Sequence, residues 1–459
     1  MRLLLRSLLP DSAARLLWAG ADPEGLADEL AAAGHEVVTG DLPLAPPEVP
    51  GRYDALILPA GLDGDSARQL AAARALLAHE GRLVVLFSAV APEESVRAAV
   101  VALSEAGFAI LRQESAEDGR ELLAARRDSF VVRGYREGDE EQILALFRAS
   151  FHVDRSPVRW RWEYRENPYG AHRISQAFAP DGRLVAHYAG YPVRFYYAMS
   201  GPPRHLLALQ VGDTMTAPAV RHVGRGPTSL LGRSVRHFYA SYCEGHVAFN
   251  YGFNTGNIQR FSMRFVRADR LEDCPYRVRE VGPAPLSLPR GLARLGWRVE
   301  RVQHFDRRFD RLFRRVRDAY RLLVERDARY LEWRYATCPG TEYFLYALTR
   351  FGRLVGWSVF RQKGDRLVWG DALVDPRHRA GLGILLDRVL ALPEHRETRV
   401  VEGWLSTRPA WWDETVTALG FERRPEPQGL GVVYVPFAVD PGEDFRRSLY
   451  YMWGDSDLF

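Results

Sequence analysis

Lysine is almost missing from this chain: Lys363 stands alone among 62 basic residues, so the basic side is arginine throughout. Such an excess reflects genome base composition before phosphate binding, and the net charge is only +4 over 459 residues. Arginines in 298–317 are interleaved with Glu300, Asp306 and Asp310, which describes a solvated helix face and argues against a nucleic-acid partner. Cysteine is scarce too. Cys243, Cys274 and Cys338 have no paired spacing, which argues against a disulfide scaffold or a zinc site. His152, His187, His205 and His222 show no ligand spacing, so no metal is expected, although His187 is the histidine best placed to line a cleft. Long apolar runs are missing as well. The N-terminal leucines are interrupted by Arg2 and Arg6 and broken at Pro10, too short for a signal segment or a membrane span. A reducing cytoplasm is the expected location.

What is present is an ordinary globular composition, 47% apolar and 26% charged, in a chain too long for one core. In residues 1–128, short apolar runs at 15–18, 36–39, 55–58 and 82–87 alternate with helical patterns near 23–33, 66–79 and 93–106. That alternation predicts an α/β domain, a parallel sheet wrapped by helices.

The middle of the chain reads differently. Two β-rich runs, 174–179 and 184–197, are joined by the turn Pro180-Asp181-Gly182-Arg183. A strand at 206–216, carrying Asp213, Met215 and Thr216, leads into Arg221-His222-Val223-Gly224-Arg225-Gly226. A helix is expected to open at Pro227 and run from Thr228 to about 242, followed by a strand at 246–253 and a short helix from Asn257 to Phe265. Two glycines two residues apart let the backbone turn sharply, and the next helix aims unpaired N–H groups at whatever the turn holds. In this order the segment resembles the GNAT superfamily of acyl-CoA-dependent N-acyltransferases. Arg221, Gly224 and Gly226 match its R/Q-x-x-G-x-G/A signature, and residues 252–257, with Asn254 and Asn257, look like the junction that holds the pantetheine arm.

The first domain also carries a resemblance. Residues 53–58, 79–85 and 105–108 follow the order of a class I methyltransferase. Its nucleotide loop is replaced by Trp18-Ala19-Gly20-Ala21-Asp22-Pro23, and the proline-rich 41–50 deletes a strand that would help hold adenine. With one glycine and an Asp-Pro, close approach of the backbone to a cofactor is disfavoured, and a silent Rossmann-like scaffold is expected.

A repeat completes the organisation. Residues 159–164 with Asn167-Pro168 are echoed by 330–335 with Pro339, and Gly182-Arg183-Leu184-Val185 by Gly352-Arg353-Leu354-Val355, both offset by about 170 residues. The expected fold is therefore α/β and α+β: a Rossmann-like domain (1–128), a first GNAT domain with a mixed sheet (129–281), a linker (282–300), a second GNAT domain (301–438) and a tail (439–459). The second copy departs from the signature. His378 stands where Arg or Gln is wanted, Val416 where a tyrosine often sits, and 404–411 lack asparagine, so this copy is expected to have decayed.

The resemblance implies that the donor's diphosphate lies on the loop Arg221, Val223, Gly224, Arg225, Gly226 and Thr228, with Met215, Thr216, Asn254 and Asn257 along the rest of acetyl-CoA. Only a neutral amine attacks a thioester, so a base is needed: Asp213 on the strand, or Asp455, Asp457 or the terminal carboxylate of Phe459 in the tail. Gln259, Arg260 and Phe261 occupy the place of the usual tyrosine acid, leaving Tyr251, or Tyr188 or Tyr191, as substitutes. The expected activity is acetyl-CoA-dependent N-acylation of a small-molecule amine. Trp160, Trp162, Tyr188 and Tyr191 suggest an amino sugar. An S-adenosylmethionine-dependent methyltransferase with structural GNAT repeats and a non-catalytic acyl-CoA-binding module are the alternatives.

Overall fold

A computed structural model describes residues 5, 7–9, 13–22, 24–42, 51–59, 61–62, 65–282, 286, 288 and 291–459. Expectations attached to residues 2, 6, 10, 23 and 43–50, and to most of the linker 283–290, lie outside the described residues. The chain divides into two compact units. One comprises Met1–Arg155, Arg173–Ala189 and Asp213–Glu244; the other comprises Ser156–His172, Gly190–Gly212 and Gly245–Phe459.

In the first unit, β1 (Arg15–Ala19), β2 (Glu36–Gly40), β3 (Tyr53–Leu58), β4 (Leu77–Leu86), β5 (Phe108–Ser115) and β6 (Glu121–Arg127) form a sheet in the order β2-β1-β3-β4-β6-β5. The contacts among β1 to β4 are parallel, and β6 is antiparallel to both neighbours. Side chains alternate between two cores. Leu56, Leu83 and Val85 face Leu70 of α2 (Ser66–Leu76) and Leu103 of α3 (Glu93–Glu105), whereas Ile57 and Val84 face Leu26 and Leu30 of α1 (Leu26–Ala32). Burial on both faces is why these strands read as unbroken apolar runs. The helix expected to 79 ends at Leu76, because Leu77 turns extended and pairs with Tyr53, and a bulge with Glu80 at φ 65 restores register at Arg82. Strand pairing overrides local helix propensity there.

The same unit holds β7 (Val131–Gly134), α4 (Glu140–Phe151) and β8 (Arg173–Phe178), the first part of β9 (Leu184–Tyr197) and the end of β10 (Arg204–Thr216). Its last helix, α6 (Leu230–Phe238), continues as a π-helical turn, Tyr239–Cys243.

The second unit has two sheets. The first includes β12 (Asp269–Asp273), β21 (Gly431–Pro436) and β11 (Phe249–Asn254), then this unit's parts of β10 and β9, then β15 (Leu322–Val324) and β22 (Leu449–Tyr450). The other runs β14 (Trp297–Val302), β16 (Phe344–Arg350), β17 (Arg353–Lys363), β18 (Arg366–Val374), β19 (Val400–Trp404), β13 (Tyr276–Glu280) and β20 (Glu422–Arg423). The helices are α5 (Pro157–Tyr164), α7 (Gly256–Phe265), α8 (Arg307–Tyr320), α9 (Ala328–Leu331), α10 (Gly381–Leu390), α11 (Ala410–Ala418) and α12 (Gly442–Ser448).

The sheets exchange strands. β21, late in the chain, lies antiparallel to β11, while β13, which closely follows α7 and β12, pairs with β19. The two tryptophans of the repeated sequence meet in the core. Trp162 and its repeat mate Trp333 stack at 5.0 Å, and each indole N–H donates to the other's carbonyl, at 2.7 and 2.9 Å. Reciprocal bonds between equivalent residues are the mark of a local two-fold relation.

Candidate functional site

β10 and β11 run parallel for three residue pairs, from Ala208–Phe249 to Gln210–Tyr251, and then pairing stops although β11 continues to Asn254. Beyond this fork the two strands no longer pair with each other, and Val211 O instead accepts from the Gln210 amide at 3.2 Å. At its foot lies the chain's own tail. The Gln210 amide donates to Asp457 Oδ1 at 3.0 Å, and a Cβ on Gly212 would stand 2.6 Å from Asp457 Oδ2. A side chain at 212 would have to push this carboxylate aside. Tyr251, the last ladder residue, donates a long 3.4 Å bond to the Asp455 carbonyl, and burial pushes its pKa well above the ordinary phenol value. Beside it is a small cavity lined by Phe195, Phe253, Phe445, Tyr450 and Asp455.

The tail is held from several directions. Buried Arg326 bonds Asp371 (3.0 Å) and Asp455 (2.6 Å). Although burial alone would lower its pKa, these two carboxylates hold Arg326 well above its ordinary value. Arg334 donates to the carbonyls of Gly454 and Ser456 at 3.1 and 2.7 Å. Phe459, expected from sequence as the base, accepts the Tyr343 hydroxyl at 2.8 Å through its carbonyl oxygen, and its ring stacks on Tyr343 at 5.1 Å. That ring covers Gly370 of β18, where a Cβ would overlap it. The tail carboxylate that reaches β10 is thus that of Asp457, and Phe459 is engaged by the other sheet.

In the first unit, Asp213 lies near the end of β10 with φ 48. Its carboxylate is ion-paired to Arg155, and both side chains are nearly buried. Its carbonyl meets His187 Nδ1 at 2.8 Å, and burial lowers the pKa of this imidazole. The carboxylate expected from sequence as a base is thus engaged by the Arg155 guanidinium.

The glycine turn follows. Gly224 and Gly226 have φ of 68 and 54, and the expected helix is delayed: Gly226–Thr228 form a 3-10 turn, and α6 starts at Leu230 behind the N-cap Ser229, whose Oγ accepts from Gly232 N at 3.1 Å. A serine three residues past the glycine outcompetes Pro227 as the starting signal. The amides of Val223 and Arg225 are spent on the loop itself, bonding Val220 O at 3.0 Å and Thr228 Oγ1 at 3.3 Å. Thr228 Oγ1 in turn donates to Arg225 O at 3.0 Å, and Arg221 Nε donates to the carbonyl of Thr216 at 3.2 Å. Met215 is buried.

In the second unit, Asn254 bonds Ser262 Oγ at 3.3 Å, and Asn257 accepts from Arg260. The aromatics expected to greet a sugar are core. Trp160, Trp162, Tyr188 and Tyr191 are all buried, Tyr188 against Phe238 at 5.0 Å within the first unit and Tyr191 against Trp333 at 5.6 Å within the second.

At the N-terminal sheet, where the strand order reverses beside β1 and a nucleotide would be sought, Asp22 fills the helix start. Its carboxylate accepts from Leu26 N and Ala27 N at 3.0 and 2.7 Å, and a Cβ on Gly20 would press on Pro59 at 3.2 Å. Among the described residues, no group of three or more His, Cys, Asp and Glu could hold a metal ion, and no helix is long and apolar enough to cross a membrane.

Comparison with known proteins supplies the family of the middle segment. Residues 131–262 match the acetyltransferase (GNAT) domain family. The match spans β7 through most of α7, and with it the fork and the glycine turn. Among solved structures, the chain is similar to a conserved protein of unknown function from Enterococcus faecalis described as a probable N-acyltransferase. There the TM-score is 0.50 and the identity 9%, over 68% of this chain and 73% of that one. A GCN5-related N-acetyltransferase from Anabaena variabilis is similar at TM-score 0.50 and 10% identity, over 66% and 72% of the two chains. At such identities the likeness is one of fold, a GNAT-type N-acyltransferase fold. A search of curated protein sequences finds no match.

Proposed function

We propose that this chain is an acyl-CoA-dependent N-acyltransferase, using acetyl-CoA, that acylates the primary amine of a small molecule such as an amino sugar. The observation that carries this reading is the parallel β10–β11 ladder that stops after three pairs, with a carboxylate seated on the glycine at its foot. The loop from Arg221 to Thr228 and the start of α6 hold the diphosphate, through amides such as that of Gly224, and Met215, Thr216, Asn254 and Asn257 follow the pantetheine arm. The amine nitrogen attacks the thioester carbonyl carbon; the C–N bond forms, the C–S bond breaks, and the amine proton passes to a carboxylate. Asp457 is our choice of proton acceptor, since Asp213 is bound to Arg155 and the Phe459 end to Tyr343. The leaving thiolate is met by the Tyr251 hydroxyl, which carries its proton at neutral pH.

The domains follow from the same reading: 1–128 a silent Rossmann-like scaffold, 129–281 the working GNAT copy, 282–300 a linker, 301–438 a decayed copy and 439–459 the tail. Methyl transfer is disfavoured by the Asp22 carboxylate at the start of α1.

The test is release of free CoA from acetyl-CoA with a panel of small amines that includes amino sugars, for wild type and Asp457→Asn. Loss of a general base costs on the order of 100-fold or more in kcat, with KM for acetyl-CoA little changed. Turnover by Asp457→Asn at the wild-type rate would remove Asp457 from the mechanism, and binding without turnover by wild type would favour a non-catalytic acyl-CoA-binding module.

A further inference from the structure

The fork of β10 and β11 has a twin. β18 and β19 are also parallel for three pairs, Arg366–Val400 to Val368–Glu402. Gly212-Asp213 of β10 recurs as Gly370-Asp371 of β18, and each pair leads to a proline, Pro218 or Pro376, that opens a 3-10 turn. Each aspartate is ion-paired to an arginine, Arg155 or Arg326, and each arginine directly precedes the N-cap of a helix, Ser156 or Asp327.

What lies on the twin glycines differs. Gly212 faces the Asp457 carboxylate, whereas Gly370 faces the Phe459 ring. The rest of the second fork is filled by the same tail: Trp453 stacks on Trp404 at 5.1 Å and 6°, Met452 bridges Leu405, and a Cβ on Gly454 would stand 3.1 Å from Gly370 O.

We propose that the second fork has been converted from a donor site into a clamp, which grips the C-terminal tail so that Asp457 is delivered to Gly212. Gly370, Arg326, Asp371, Arg334 and Tyr343 are then positioning residues, acting on the reaction only through the tail. The clamp rests on the reading of Asp457 given above. Its geometry is specific: anchors at Asp455 and Phe459 bracket Asp457, so the intervening residue has little freedom to leave the strand.

The experiment uses the full chain and two variants, Gly370→Ala, whose methyl displaces the Phe459 ring, and Phe459→Ala, which removes the ring and leaves the sheet untouched. Hydrogen exchange of residues 452–459 reads the grip directly, and kinetics read its consequence. Both variants are expected to exchange faster in the tail alone and to lose at least tenfold in kcat at unchanged KM for acetyl-CoA. Combined with Asp457→Asn, either variant should be no slower than Asp457→Asn alone, because both changes act through the same group. The double variant Gly370→Ala with Phe459→Ala should match Phe459→Ala, since the displaced ring is gone. A tail that stays protected in both single variants, or one released with kcat intact, would overturn the clamp. If wild type transfers no acyl group, the functional reading fails by itself and tail exchange still decides the clamp.

Discussion

Gly224 offers the sharpest test of the loop. Its φ of 68 is left-handed, and a Cβ there would overlap the carbonyl of Thr228. Alanine in that conformation costs about 1 kcal/mol in backbone strain. To clear the methyl, Thr228 and Ser229 must shift, which gives up the Ser229 cap on Gly232, worth about 1 kcal/mol. A loop disfavoured by about 2 kcal/mol against a relaxed alternative binds its ligand about 30-fold more weakly. Gly182→Ala is the matched control, for Gly182 has φ 81 at the tip between β8 and β9 and nothing within 4 Å of an added Cβ. It pays the strain alone. Calorimetric titration with acetyl-CoA should therefore show a weakened Gly224→Ala and a near-native Gly182→Ala. Equal affinities for the two variants would refute the assignment of the loop to the diphosphate.

Two further predictions concern stability. Burial would raise the Asp375 carboxyl, but the Arg377 side chain and amide pull it down to about 2. Its folded pKa therefore lies below the unfolded value of 3.8, and the contribution is present above pH 4 and lost as pH falls toward 2. Because the Arg377 side is exposed, we expect Asp375→Asn to lose only about 1 kcal/mol at pH 7 and nothing by pH 2, followed by urea titration. A gap that survives at low pH would refute the ion pair as its source. Separately, a fragment ending at residue 281 lacks β21 and bares the β11 edge from Phe249 to Asn254, so it should aggregate; a monodisperse, cooperatively unfolding fragment on gel filtration and urea titration would contradict the strand exchange.

Local patterns in the sequence carried the α/β alternation of the first domain and the glycine turn, because period-2 burial and positive-φ glycines leave short-range signatures. The repeat was legible through Trp162 and Trp333, large residues held in place by each other. It was illegible at Gly212-Asp213 and Gly370-Asp371, which fall out of step with the tryptophans and have few side-chain atoms to mark them. Pairings set by distant segments left no trace either. Nothing local in 431–436 says that β21 will complete the sheet of β11, or that residue 457 will meet residue 210. The four aromatics read as a possible sugar platform were misplaced for a related reason: composition tells that a ring will be buried, and only packing tells against what.

The strand exchange bears on how the two halves of the chain depend on each other. With β13 in the second sheet and β21 in the first, each sheet needs residues from both sides of 282–300. Deleting the second half would leave β11 without its antiparallel neighbour, so the half was retained for structural reasons whatever its chemistry. The second fork is filled by aromatic side chains of the tail. Phe459 against Gly370 and Trp453 on Trp404 are such side chains, and Arg326, which holds Asp371 in that fork, also holds Asp455. A single guanidinium thus ties the stability of the second fork to the position of the tail. A mutation that loosens one should therefore loosen the other.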